Sequence, residues 1–279
     1  MDKTSFENWK ENILYWKIDD LERIISVLEV AFGESLSKQK TGKDYTNIQI
    51  RAYAHAIIVM KEILCLIKSG FPDGALALAR RLYEQIVILS FFENRKKNSD
   101  FNDLVQRYYA SHTILAYTDQ KLAADYFNNK NRSKKLRSKI NKEKRKYSHW
   151  IPNNTYVPDY WWTGEQTIDS FGAMQKEYSD GFGKILYKRA CISTHVSAMG
   201  NYALLGRSEL DSKIYTGSTF NGHYIPLILS VSSFGDISTI VFKNLNIQLP
   251  NEHGELMELM HHYFTIWSNE LSRESINHD

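Results

Sequence analysis

Apolar residues recur at helical spacing along most of the chain. Between Phe6 and Ala31 the positions Ile13, Leu14, Trp16, Leu21, Ile24, Ile25, Leu28 and Val30 predict helix, with Asp19 and Asp20 where one helix could end and another begin. Residues 33–43 are polar and read as a loop. A helix over 47–68 is stopped by Gly70-Phe71-Pro72-Asp73-Gly74, with Asp73 as a candidate N-cap for the next. The segment 75–94 is apolar nearly all round, which predicts a helix with neighbours on most sides. Further helices are expected over 100–127, 167–178, 181–206, 226–241 and 251–272. The stretch 237–247 is β-branched enough to suit a strand as well. Residues 207–222 are a polar loop, and 149–164 (HWIPNNTYVPDYWWTG) is an aromatic loop that packs back on the core.

Five Pro and 14 Gly are few for 279 residues, and this favours long helices over many turn-joined strands. The expected fold is all-α, a single multi-helix bundle over 1–279 with a core at about 45–205 and helical additions at both ends. Two cysteines, Cys65 and Cys191, cannot form a disulfide framework and point to a reducing cytoplasm. No leader pattern opens the chain, and the longest apolar run, 86–92, is far short of the roughly 20 residues that cross a bilayer. No membrane association is expected.

Charge changes the picture in one place. Between Asn129 and Lys146 stand ten basic residues and one acid, Glu143, a segment charge of +9 in a chain of net charge +3. Lys134, Lys135, Arg137, Lys139, Lys142, Lys144 and Arg145 are the candidate nucleic-acid contacts, since neutralised phosphates release condensed counterions. The alternative is a solvated surface helix with Leu136 and Ile140 as its packing residues. Stacking of Trp161 or Trp162 on a base is a further candidate contact.

Candidate chemistry sits in 181–206, which carries Arg189 and His195. An arginine can hold a phosphate bidentately and a histidine can move a proton near neutral pH. Six residues on a straight helix turn the two side chains about 120° apart, so they converge only if the arginine reaches round, if the helix starts between them, or if a second subunit contributes. Arg80 and Glu84 are four apart and can pair, either as an internal salt bridge or as the edge of a site. Glu258 and His261 form half of a di-iron carboxylate pattern with no second half, so no metal or other cofactor is expected. Cys191 and His195 are four apart, but the small buried packing role suits that cysteine better than a nucleophile's.

The stretches GFPDGALALARRLYEQIVILSFF, WWTGEQTI and YKRACISTHVSAMGNY together resemble a family of uncharacterised bacterial all-helical proteins over about 45–205. Its pattern, an Arg-x-x-x-Glu helix and a Tyr-rich helix ending in His, falls here on Arg80, Glu84, Tyr187 and His195. The Arg189–His195 spacing is also similar to the signature of HEPN domains, many of which are dimeric RNA-cleaving toxins or phage-defence effectors. Ala190 departs from the polar residue that commonly follows the arginine in active members. The resemblance implies metal-independent RNA cleavage by 2′-hydroxyl attack, a homodimer, and a partner protein from the same defence system. Two alternatives stay open: a non-catalytic dimeric interaction module, and a small-molecule or nucleotide sensor lined by Arg80, Glu84 and tyrosines.

Overall fold

A computed structural model describes residues 17–36, 44–151, 159–178, 181–194 and 223–276. All regular structure among them is helical. In chain order the α-helices are α1 (Ile18–Leu36), α2 (Tyr45–Lys68), α3 (Pro72–Arg95), α4 (Phe101–Tyr126), α5 (Lys130–Lys146), α6 (Phe171–Tyr178), α7 (Gly181–Thr194), α8 (Tyr224–Leu245) and α9 (Asn251–Ile276), with a 3₁₀ turn at Trp161–Thr163. The expected all-α class holds. Residues 6–16 of the first expected helix lie outside the described residues.

The start of α3 differs in detail from the sequence expectation. Gly70 takes a left-handed conformation (φ 79°), and Pro72 is the first helical residue. Proline's fixed φ and missing N–H suit that first position, which moves Asp73 from the cap into the first turn. In the same way Ser170, not the Thr167–Asp169 stretch, opens α6: its side-chain oxygen accepts from Ala173 N at 3.3 Å.

The chain packs as two compact units. One comprises, of the described residues, 17–36, 49–89 and 181–276; the other comprises 44–48, 90–151 and 159–178.

In the first unit α8 is the core helix. Leu227, Ile228, Phe234, Ile237, Val241 and Phe242 are all fully buried, at spacings that only a helix brings to its neighbours. Packing thereby overrides the strand preference of 237–247, and Asn246 ends the helix in a left-handed turn (φ 53°). Tyr53 of α2 is the hub. Its ring stacks on Phe234 at 5.6 Å and meets Phe242 and Phe32 edge-on at 5.3 and 4.7 Å. Ser238 Oγ donates to Phe234 O at 2.7 Å and lies 3.3 Å from Tyr53 Oη, which can donate to it, so the tyrosine hydroxyl has a partner in this core. At Gly235 a Cβ would stand 3.3 Å from Met257 Sδ, and glycine there lets α8 and α9 approach closely. By length and composition α8 could cross a membrane, with mean hydropathy 1.7, but 72% of that stretch is buried against the chain's own residues. A search for unbroken apolar runs misses it because serines interrupt the run.

The second unit is built on the α4–α5 hairpin. Its latch is Arg107, a cation 2% exposed. Its guanidinium pairs with Asp103 one turn back, donates from Nε to Trp162 O at 3.0 Å, and lies 4.7 Å over the Trp150 ring. Buried charge is tolerated only when it is paired and hydrogen-bonded, and here it is both. The contact fixes the 161–164 turn against α4. Trp162 then stacks on Phe92 at 5.7 Å and meets Phe91 and Tyr108 edge-on at 5.4 and 4.9 Å. Trp161 and Trp162 are therefore core residues, closed to any base; the aromatic loop packs back as its composition suggests. Arg95 pairs with Glu165 and Glu177 and covers the Phe91 ring at 3.9 Å, which ties α3 and α6 to the same turn.

Gly164 closes this turn with φ 74°, and a Cβ there would stand 2.9 Å from Arg107 Nη2. Gly164→Ala is expected to cost at least about 1 kcal/mol from left-handed strain alone, with the displaced guanidinium adding to it. Thermal unfolding of the variant checks this; an unchanged midpoint would show that the turn is not held by Arg107.

Candidate functional site

Two groups of polar side chains stand out among the described residues. The first is the outer face of α5. The helix is started by Asn129, whose Oδ1 accepts from Arg132 N at 3.1 Å, after a left-handed Asn128 (φ 54°). Ser133, Leu136 and Ile140 are its buried residues, one narrow seam against α4. Lys134, Arg137, Ser138, Asn141, Lys142 and Arg145 line a shallow groove, with Arg137 at the edge of that seam and Lys142 opposite it. Lys134, Lys135, Arg137, Lys142 and Arg145 are exposed and form no hydrogen bond or ion pair with a described residue. Lys139 lies 5.1 Å over the Tyr117 ring, and Lys144 is half-buried. The one acid of the helix, Glu143, is taken by Lys146 at 2.9 Å. What remains is a strip of exposed cations, of which Arg137 also acts on the Asp125 carboxylate of α4.

The second group is half-buried and joins α3 to α7. Arg80 Nε donates to Glu84 Oε1 at 2.8 Å, and Tyr187 Oη donates to the same oxygen at 2.9 Å. The Arg80 guanidinium lies 5.2 Å over the Tyr187 ring, which also packs on Tyr83 at 5.2 Å. The Cys191 thiol, one turn along α7, hydrogen-bonds the Tyr187 hydroxyl. Burial, then the Glu84 carboxylate, push the Tyr187 hydroxyl far above its ordinary range, so it stays a neutral donor at physiological pH. This cluster orients helices and can recognise a ligand, but its tyrosine supplies no base.

Arg80, Glu84 and Tyr187 are thus brought together. Arg189 is not in this cluster: two residues past Tyr187 it projects about 200° round the helix, exposed and with no hydrogen bond or ion pair to a described residue. His195 lies outside the described residues. Cys191 meets Tyr187, a pairing the sequence reading passed over for the Cys191–His195 spacing. Tyr83 was missed too, although it lies one residue before Glu84 with its ring buried. Also missed were Tyr126 and Phe127, exposed at the hairpin tip (81% and 76%). Glu258 lines a hollow with Lys17, Asp20, Arg23 and Glu255, while His261 is exposed.

Fold and side chains together define an all-helical protein with an aromatic core, a paired Arg–Glu–Tyr cluster and one strongly basic surface helix. The chain belongs to DUF5677, a family of unknown function whose model matches residues 46–213, more than half of the chain. That span takes in α2 to α7 and leaves α1, α8 and α9 outside. No curated protein and no solved structure matches the chain.

Tyr187→Phe removes one of two hydrogen bonds to a partly exposed carboxylate and is expected to cost about 1 kcal/mol. Glu84→Ala, which strips both Arg80 and Tyr187 of their shared acceptor, should cost more. Denaturant unfolding of the two variants gives the order; the reverse order would mean that the Tyr187 hydroxyl contributes more through another partner than through Glu84.

Proposed function

We propose that this chain is a HEPN-like protein of bacterial origin that binds RNA and cleaves it without a metal. The observation that carries the reading is the outer face of α5, where Lys134, Lys135, Lys142 and Arg145 are exposed and pair with no carboxylate among the described residues, an arrangement that suits a phosphate backbone. Arg189 supports the chemical part, because an exposed guanidinium without a partner among the described residues is open to a phosphate.

In the proposed reaction His195 takes the proton of a 2′-hydroxyl, whose oxygen attacks the adjacent phosphorus. Arg189 stabilises the charge that develops on the phosphoryl oxygens. The bond from phosphorus to the 5′ oxygen breaks, leaving a 2′,3′-cyclic phosphate. The leaving oxygen receives a proton from an imidazolium, supplied by the same histidine or by a second subunit in a homodimer. A cytoplasmic role in phage defence or as a toxin, with a partner protein of the same system, belongs to this reading. Cys65 and Cys191 form no disulfide, which fits a reducing compartment.

A second reading is favoured by the Arg80–Glu84–Tyr187 cluster. It is half-buried, with Arg80 and Glu84 side chains 25% and 34% exposed, and offers donors and an aromatic face to a small molecule or nucleotide. In that reading the protein senses or scaffolds rather than cleaves.

Incubating the purified full chain with cellular RNA in chelator separates these readings. Cleavage with cyclic-phosphate ends is expected, reduced at least about 100-fold by His195→Ala and by Arg189→Ala while RNA binding is retained. No cleavage, or cleavage undiminished in His195→Ala, would contradict the catalytic reading and leave the second.

A further inference from the structure

The tip of the α4–α5 hairpin combines features that neither the fold nor the proposed chemistry uses. Tyr126 and Phe127 are 81% and 76% exposed, and their rings meet edge-on at 5.1 Å and 86°. Two large aromatics left in water side by side are unusual, because each could bury apolar area worth more than about 1 kcal/mol. The backbone holds them there. Phe127 N donates to Ala123 O at 3.0 Å, Asn128 turns left-handed (φ 54°), and Asn129 N donates to Ala124 O at 2.8 Å and caps α5. The chain thus reverses in three residues, with both rings at the outer end. Leu122, one turn back on the face of Tyr126, is exposed as well and gives the platform an apolar base.

Chemistry next to the pair narrows what it meets. Lys130, Arg132, Lys134 and Lys135 follow within nine residues of Tyr126, all exposed. Asn128 and Asn131 present exposed side-chain amides at the same tip, groups suited to base edges. Asp125 also stands there, its carboxylate in water and paired with Lys121. Insertion into lipid would bury that carboxylate and the amides, whereas stacking desolvates ring faces only.

We infer that Tyr126 and Phe127 are a stacking platform for unpaired bases, so that the nucleic acid this protein takes is single-stranded. The inference rests on the proposed reading of α5 as the phosphate-binding element. Duplex bases are already stacked on each other and offer edges only in grooves, so an exposed ring pair gains nothing from them. In a single strand every base has a free face, and the adjacent cations hold the backbone that carries it.

The test is fluorescence anisotropy with the full chain, using a 20-nucleotide 2′-O-methyluridine strand and a 20-base-pair 2′-O-methyl RNA duplex, neither of which has the 2′-hydroxyl that the proposed cleavage needs. The Tyr126→Ala/Phe127→Ala variant should lose affinity for the strand on the order of 30-fold and change less than about twofold on the duplex, with its salt dependence unaltered. Both rings are solvent-exposed, so its melting temperature should stay that of the wild type. A strand containing 4-thiouridine should crosslink to the peptide that carries these two residues in the wild-type chain. Equal losses on both substrates, or none, would overturn the inference. So would loss of binding to phosphatidylglycerol–phosphatidylcholine vesicles, or of dimerisation, with strand affinity intact, since the pair would then be a membrane wedge or a subunit contact. If the wild-type chain binds neither nucleic acid, the reading of α5 fails first, and the platform fails with it.

Discussion

The seam that docks α5 on α4 is the contact on which the functional account depends. A 17-residue helix with ten cations works against itself: seven pairs of like charges stand three or four apart, costing about 0.2–0.5 kcal/mol each. Against this stand Leu136 and Ile140, both buried, at about 1.5–3 kcal/mol each. Burial wins by a modest margin. The helix therefore exists because α4 gives it a surface, and α4 is in turn held by the Arg107 latch and the Trp162 cluster. A sequence with fewer lysines would make a steadier hairpin, so the outer charge is a cost to stability that a partner of opposite sign would offset.

The two polar groups solve opposite electrostatic problems. Around Glu84, opposite charges and a hydroxyl satisfy one another in a half-buried setting, and the result is a fixed geometry between α3 and α7. Along α5 Lys134, Lys135, Lys142 and Arg145 stand in water with no ion pair among the described residues, and their field reaches about a Debye length. The first arrangement suits orientation and recognition, the second capture. A chain that captures a polyanion through α5 needs its chemistry elsewhere, and the exposed Arg189 is the described group that suits it.

Much of the architecture was legible in the sequence, because apolar residues at three- and four-residue spacing leave little choice of element. The exceptions have physical causes. The 237–247 stretch reads as either helix or strand until Tyr53 and α9 are present to bury Ile237, Val241 and Phe242. Asp73 looks like a cap, yet Pro72 claims the first turn. Arg80 and Glu84 were visible as a pair from their spacing alone, while Tyr83 and Cys191 joined them only through tertiary packing. Arg107 carried a signal that was passed over, its spacing of four from Asp103. The exposure of Tyr126 and Phe127 had none, since periodicity cannot tell a ring at a hairpin tip from one in a core.

The most direct test of the central claim is the salt dependence of binding between the full chain and a single-stranded 2′-O-methyl RNA, which keeps the phosphates but lacks the attacking hydroxyl. If Lys134, Arg137, Lys142 and Arg145 each neutralise a phosphate, the logarithm of the association constant should fall with the logarithm of salt concentration at a slope of roughly −3, about 0.7 per contact. A slope near zero would mean that the cations of α5 touch no phosphate, and the account would not stand.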